Sequence, residues 1–215
     1  MYEAAVIDMK GDVSVDTECN GQWFTPWIGM KLKRNAKIRT GENSYLDIVF
    51  DAEGLNVLRI KENTSTTVKL ASVELKEGAV FAKFDNLTPG NSFKVRTPTA
   101  TCGIRGSGMG VEYINNMTVV SAFEHSVYVQ GVDSNGNPVG QEVIIPEDWK
   151  TQVLGNGNVN PPAELTDNER EIFEAWVDFI INPAPGPEDD DIEDELGDEV
   201  DTKNLEEKKE ISPSE

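Results

Sequence analysis

One histidine, His125, and two cysteines, Cys19 and Cys102, are the only imidazole and thiol groups in 215 residues. From so few and such widely separated ligands, a zinc site of ordinary ligand count cannot be assembled by this chain alone. A Ser-His-Asp relay is excluded as well. His125 follows Glu124 in "FEHSVYV", with neither a G-x-S-x-G elbow nor a cysteine in protease context to accompany it, and reads as a turn or strand-edge residue. The cysteines leave two readings open: a pair closing a loop of about 80 residues in an exported protein, or two unpaired thiols with one or both buried.

Long apolar runs are also missing. Nowhere do about 18 uncharged apolar residues follow one another, which excludes a membrane-spanning helix and leads to the expectation of a soluble chain. The start, Met1-Tyr2-Glu3, enters a strand-like pattern without the basic and apolar opening of a secretory signal. The expectation is a cytoplasmic protein, or one whose export segment lies outside this sequence. Positive charge is scarce, with 19 Lys and Arg against 39 Asp and Glu for a net charge of −20. A chain so acidic repels phosphate backbones, so nucleic acid and anionic membrane surfaces are poor candidate partners. Apolar residues make up 38%, below the globular norm of about 45–50%, and the deficit is concentrated at one end. Residues 183–215 hold fourteen Asp and Glu against three Lys, so −11 of the net charge lies there and −9 in residues 1–182.

What is present is alternation. Between Glu3 and Leu154 short runs such as "DVSVD", "AKIRT", "SYLDIVF", "NVLRI", "TTVKL", "SFKVRT", "TVVSAF" and "SVYVQGV" carry the period-2 pattern of half-buried strands, each closed by glycine or asparagine. Their spacing of about 10 residues predicts an all-β fold, a β-solenoid-like roll or a sandwich. Asn135-Gly136 predicts a hairpin with a type I′ turn, both central residues at positive φ. The period then changes. In "LTDNEREIFEAWVDFIIN" Thr166 stands three residues before Glu169, a capping box that predicts a helix start. Ile172, Phe173, Trp176, Val177, Phe179 and Ile180 follow at helical spacing, and Asn182 with Pro183 should end the helix. A helix of about four turns is marginal alone, so its apolar side must rest on the β domain or on another chain. The organisation read from this is a β domain over 1–160, an amphipathic helix within 161–183, and an acidic tail over 184–215 with too little to bury to become ordered.

Four glycines crowd into "TCGIRGSGMGVEY", with Arg105 among them. A phosphate loop needs a lysine and a hydroxyl residue after its last glycine at a helix start, whereas here "VEYI" follows. The structural reading is a bend in which Gly103, Gly106, Gly108 and Gly110 allow positive φ or close backbone approach. Arg105 is then expected to fasten neighbouring carbonyls or a carboxylate across the bend. "DSNGNPVGQEVI" imitates a calcium loop for five positions, but Pro138 and Ile144 occupy the places of the glycine and the bidentate glutamate, which rejects an EF-hand. Many Asp and Glu lie on the strands, and no pair is singled out for glycosidase chemistry. Trp23, Trp27 and Trp149 could form a sugar-stacking surface, while "GQWFTPWIG" packs its aromatics so closely that a core or rim cluster is the competing reading.

Several phrases occur in an order that resembles the FecR domain: "VIDMKGDVSV", "GQWFTPWIGMKLKRNAKIRTGENSYLDIVF", "IKENTSTTVKLASVELKEGAVFAKF", "FKVRTPTATCGIRGSGMGVEY", and "TVVSAFEHSVYVQ" with "QEVIIPEDWKTQV". The resemblance covers about residues 4–155. Its most specific parts are Arg39-Thr40-Gly41 and Thr97-Pro98-Thr99-Ala100 followed by Arg105-Gly106-Ser107, where the family usually has Arg-Gly-Thr. The family also usually has glycine at the place of His125. The resemblance implies a non-catalytic, extracytoplasmic all-β module with no cofactor, engaged with a protein partner in the cell envelope, the motif residues serving structure. The alternative, motivated by Trp23, Trp27 and Trp149 themselves, is a cell-surface β domain that binds carbohydrate.

Overall fold

The computed structural model describes residues 2–69, 71–85, 87 and 92–182. The alternating runs form strands β1 (Tyr2–Lys10), β2 (Val13–Asp16), β3 (Lys31–Lys33), β4 (Lys37–Thr40), β5 (Tyr45–Val49), β6 (Asn56–Ile60), β7 (Ser65–Lys69) and β8 (Ser72–Phe84). They continue as β9 (Phe93–Arg96), β10 (Ala100–Ile104), β11 (Ser107–Ile114), β12 (Met117–Glu124), β13 (Val127–Val132), β14 (Pro138–Ile145), β15 (Trp149–Val153) and β16 (Ala163–Glu164). The helix α1 (Asp167–Ile181) closes the described chain. The fold is all-β with one C-terminal helix, and the 184–215 tail expectation lies outside the described residues.

Two sheets share the long strand β8, which bends at Gly78. Its first half pairs with β7 and, in parallel, with β9; its second half pairs with β6 and β11. One sheet runs β3-β1-β5-β6-β8-β11-β12-β15-β16 and the other β2-β4-β7-β8-β9-β10-β13-β14. All pairings except β8 with β9 are antiparallel. Strands β2, β3, β14 and β16 each have a single partner, so the sheets stay open at their edges.

The period of two places one apolar set between the sheets and a second outside. Val80, Ala82 and Phe84 of β8 join Leu58, Ile60, Val73, Val95 and Val129 in one core cluster drawing on both sheets. Phe81 points the opposite way and meets Val49, Val57, Phe173 and Trp176 in a separate cluster. That alternation is why the helix has a floor to rest on: a strand buried on both faces carries apolar residues at consecutive positions.

The helix starts as its sequence predicts. Thr166 accepts a hydrogen bond from the Glu169 N–H, and the Glu169 carboxylate accepts from the Thr166 N–H at 2.9 Å. The same carboxylate holds Lys150 of β15, 2.6 Å away, which binds the first turn to the sheet. Thr166→Ala should therefore cost about 1 kcal/mol, measurable as a lower midpoint in urea unfolding with faster amide exchange confined to the first turn. Asn182 is the C-cap, its N–H donating to the Asp178 carbonyl at 2.8 Å.

The 133–137 turn departs from expectation. Gly136 alone has positive φ, at 81°, while Asn135 does not. The Gly136 N–H donates to the Asp133 carbonyl, and Asp133 Oδ1 accepts from the N–H groups of both Asn135 and Asn137, each at 2.9 Å. By collecting these donors the Asp133 carboxylate favours an ordinary turn followed by a glycine bulge over type I′. The cysteines are unpaired: Cys102 is buried and Cys19 exposed, and burial pushes the Cys102 thiol well up from its usual pKa.

Candidate interaction surface

The motif residues lie at three separate places in the scaffold. Thr40 is buried where β4 ends; its hydroxyl donates to the Lys61 carbonyl and accepts from the Thr64 N–H at 3.0 Å. The Gly41 N–H donates to the Asp12 carbonyl at 2.8 Å, and the Gly41 carbonyl accepts from the Asn63 N–H at 3.0 Å, so three chain corners are tied together. Arg39 lays its guanidinium over Trp23, 4.0 Å from the ring centroid. Elsewhere Thr97, ahead of exposed Pro98, accepts from the Ala100 N–H at 2.9 Å. The buried hydroxyls of Thr97 and Thr99 both meet Thr118 Oγ1 at 2.6 Å.

Arg105 does not form the expected clamp. It is exposed and has no hydrogen bond or ion pair among the described residues; its guanidinium lies 6.0 Å from the Tyr128 ring centroid. The reason is the backbone. Gly106, at φ 118°, turns the chain immediately after Arg105 and leaves that side chain at the crest. Ser107 makes the tie instead, its hydroxyl donating to the Glu124 carbonyl at the far end of β12. Thr118 and Glu124 lie at opposite ends of this strand, about 20 Å apart at ordinary strand rise. The Thr97 and Ser107 joints are thus not brought into one site.

The other glycines of that bend serve close approach. A Cβ on Gly108 would stand 2.6 Å from Phe173 Cζ, so the helix ring sits directly on the backbone of β11. Around it Phe123 stacks on Phe173 with centroids 4.3 Å apart and planes 7° from parallel, and Phe81 meets Phe173 edge-on at 5.5 Å. His125, where the family usually has glycine, keeps a positive φ of 51°.

Sequence reading missed a charged pair beneath the helix. Asp47 and Arg59 face each other in the β5–β6 register, joined by Arg59 Nε to Oδ1 at 2.8 Å and Nη2 to Oδ2 at 2.6 Å. Asp47 is fully buried. The guanidinium lies 4.0 Å from the Tyr45 ring centroid and 5.6 Å from that of Phe179 on the helix. Burial raises the Asp47 pKa against the opposing pull of Arg59. Tyr45, donating to Asp8 at 2.8 Å, is pushed up to about 12 by burial and then by the Asp8 carboxylate. Counting outward from the turn in "FDAEGLN" would have set Asp47 opposite Arg59, because hairpin register follows from the loop.

Beside the helix runs an open cleft of about 670 Å³ floored by Phe123 and Phe173. Glu124, Glu147, Asp148, Glu171, Glu174 and Asp178 line it. Arg170, also in the lining, is engaged with Asp167 Oδ1 at 2.7 Å and the Leu165 carbonyl at 3.0 Å. So many carboxylates around an aromatic floor make a field that attracts cationic groups. Among the described residues no group of His, Cys, Asp and Glu is placed to hold a metal ion.

The three tryptophans are not gathered. Trp23 and Trp27 precede β3 at one edge of their sheet, whereas Trp149 is on β15, with β1, β5, β6, β8, β11 and β12 between. Trp149 is partly buried against the core. The "GQWFTPWIG" loop is not a core cluster: Phe24, Trp27 and Ile28 are 40%, 60% and 57% exposed.

Residues 36–128, from the start of β4 to the start of β13, match the family model described as FecR protein. No curated protein matches. Two crystal structures of a candidate anti-sigma factor from Parabacteroides distasonis are similar, both 18% identical over 66% of this chain. They have TM-scores of 0.49 and 0.50 and are covered over 64% and 63% of their own length. This chain therefore spans just under two thirds of that protein, and the likeness is one of fold.

Proposed function

We propose, from the match of residues 36–128 to the FecR family model, that this chain is a non-catalytic, extracytoplasmic signalling module that grips a protein partner in the cell envelope. The family match is the observation that carries the reading. Residues 1–160 act as the module, the helix segment 161–183 as the face it presents, and the tail 184–215 as an appendage not needed for folding. The partner surface is the cleft along α1: Phe123 and Phe173 offer an aromatic floor, and Glu171 and Glu174 on the exposed side of the helix select a partner segment rich in lysine and arginine. The motif residues Arg39, Thr40, Gly41, Thr97, Pro98, Gly106 and Ser107 serve the scaffold, Arg105 stands exposed near Tyr128 without fastening it, and none of them takes a direct part.

Affinity capture from cell-envelope extract should retain a partner on the wild-type chain and lose it with Glu171→Lys/Glu174→Lys. Both sites are exposed, so the melting temperature should hardly move, and raised salt should weaken capture by the wild type. Equal capture by both chains would remove the cleft from the reading, and turnover of a substrate by the purified chain would remove the reading itself.

A further inference from the structure

Between edge strands β2 and β3 a single loop crosses from one sheet to the other and carries its apolar side chains outward. Phe24, Trp27 and Ile28 would fold back onto the protein if the backbone allowed it. It does not, because both ends of the loop are fastened. Asp16, fully buried, accepts from the N–H groups of Asn20 and Gly21 at 3.1 and 2.9 Å. Phe24 exchanges two backbone hydrogen bonds with Val15, and the Gly29 N–H donates to the Val6 carbonyl at 2.8 Å. Pro26 and Met30 are buried as anchors. Gly21 and Gly29 have no neighbour within 4 Å of where a side chain would stand, so the loop projects as a ridge and does not lie along a groove.

The charge around it inverts the character of the chain. From Cys19 to Gly41 there are five basic residues, Lys31, Lys33, Arg34, Lys37 and Arg39, and no Asp or Glu, in a protein of net charge −20. Nearby acids temper this: Glu18 pairs with Lys33, and Asp16 lies 3.8 Å from Lys37. Arg34 is exposed on the turn after β3. Since charges beyond about 8 Å are screened at physiological ionic strength, the strip next to the ridge, not the total, governs what the ridge meets. The overall acidity that argues against anionic membranes does not apply at this one place.

We propose that the loop 22–28, with the basic strip 31–39, is a peripheral anchor for an anionic lipid surface. Tryptophan settles at headgroup depth, where its apolar ring and its indole N–H are both satisfied, and Phe24 and Ile28 add apolar surface to be buried beside it. Lysine and arginine beside them add attraction to anionic headgroups. A projecting tip suits a soft, flat bilayer boundary better than a socket. The proposal rests on residues apart from the α1 cleft and stands or falls separately from the proposed function.

The test is flotation of the full chain with vesicles of mixed phosphatidylglycerol and phosphatidylcholine, against phosphatidylcholine alone. The wild type should float with the anionic vesicles at low salt, its tryptophan emission shifting to the blue. Trp27→Ser/Ile28→Ser should lower partitioning by at least about tenfold, Arg34→Glu several-fold, with melting temperatures unchanged. Trp27→Phe should keep binding and lose most of the spectral shift. No flotation of the wild type, or flotation equal in the Ser/Ser variant, would overturn the proposal; in the first case the ridge is left as a contact for protein.

Discussion

Arg59→Met is expected to destabilise the protein by about 3–5 kcal/mol, the cost of leaving a buried charge without its partner. The Asp47 carboxylate has no exposure of its own, and among the described residues the two Arg59 donors are its only charged neighbours at hydrogen-bond distance. The loss should reach the helix as well, because the guanidinium lies 5.8 Å from the Trp176 ring centroid and 5.6 Å from that of Phe179. The sign of the pH dependence separates lost charge pairing from lost packing. Without Arg59 the buried carboxyl holds its proton more tightly than in the unfolded chain, so folding takes up a proton and the deficit shrinks as pH falls. Urea unfolding at roughly pH 7 and pH 5 should thus show a smaller difference between variant and wild type at the lower pH. In the wild type the direction is the same: burial already raises the Asp47 pKa, so its contribution to stability declines as pH rises through that raised value. A companion, Asp47→Leu/Arg59→Met, should recover most of the loss, since a buried ion pair replaced by apolar groups is often neutral. A pH-independent deficit, or a double variant no better than the single, would mean that the aromatic contacts of Arg59 matter and its charge does not.

Phe173→Ala should cost a similar amount, about 3–5 kcal/mol for an aromatic removed from a closed site. The ring is 2% exposed and is enclosed by Phe81, Phe123 and Trp176 above the Gly108 backbone. Gly108→Ala should by itself cost about 1–3 kcal/mol through overpacking. In the Phe173→Ala background that cost should nearly vanish, as the new methyl group enters the space the ring has left. The cycle is read by urea unfolding, with hydrogen exchange showing whether the helix opens alone or with the sheets. Additive effects would mean that the helix does not sit on β11 in solution.

Much of this architecture is legible along the chain because its signals are local. Period-2 alternation in "NVLRI" or "TVVSAF" needs only near neighbours to declare a strand, and Thr166 with Glu169 declares a helix start within one turn. The ordered phrases around Arg39-Thr40-Gly41 and Thr97-Pro98 likewise suffice to point to the FecR domain. Three things were not legible. Arg105 stands in a motif that suggests a clamp, but one glycine φ angle decides where its side chain goes, and Ser107 makes the bond instead. The Trp27 loop reads as a core or rim cluster or as a sugar-stacking surface, and only the hydrogen bonds to Asp16, Val15 and Val6 show that it is held outward and is not a core cluster. The acidic cleft needs the helix laid beside the end of β12, and Glu124 and Glu174 give no hint along the chain that they share a space.

What the residues determined alone is the kind of element at each place and the family they resemble. What the tertiary structure decided is which element rests on which. The physical reason lies in range: alternation, caps and turn residues act over a few positions, whereas Asp12 meeting Ser44, Thr97 meeting Thr118 and Phe173 covering Gly108 join positions that only a completed pairing of sixteen strands brings within contact.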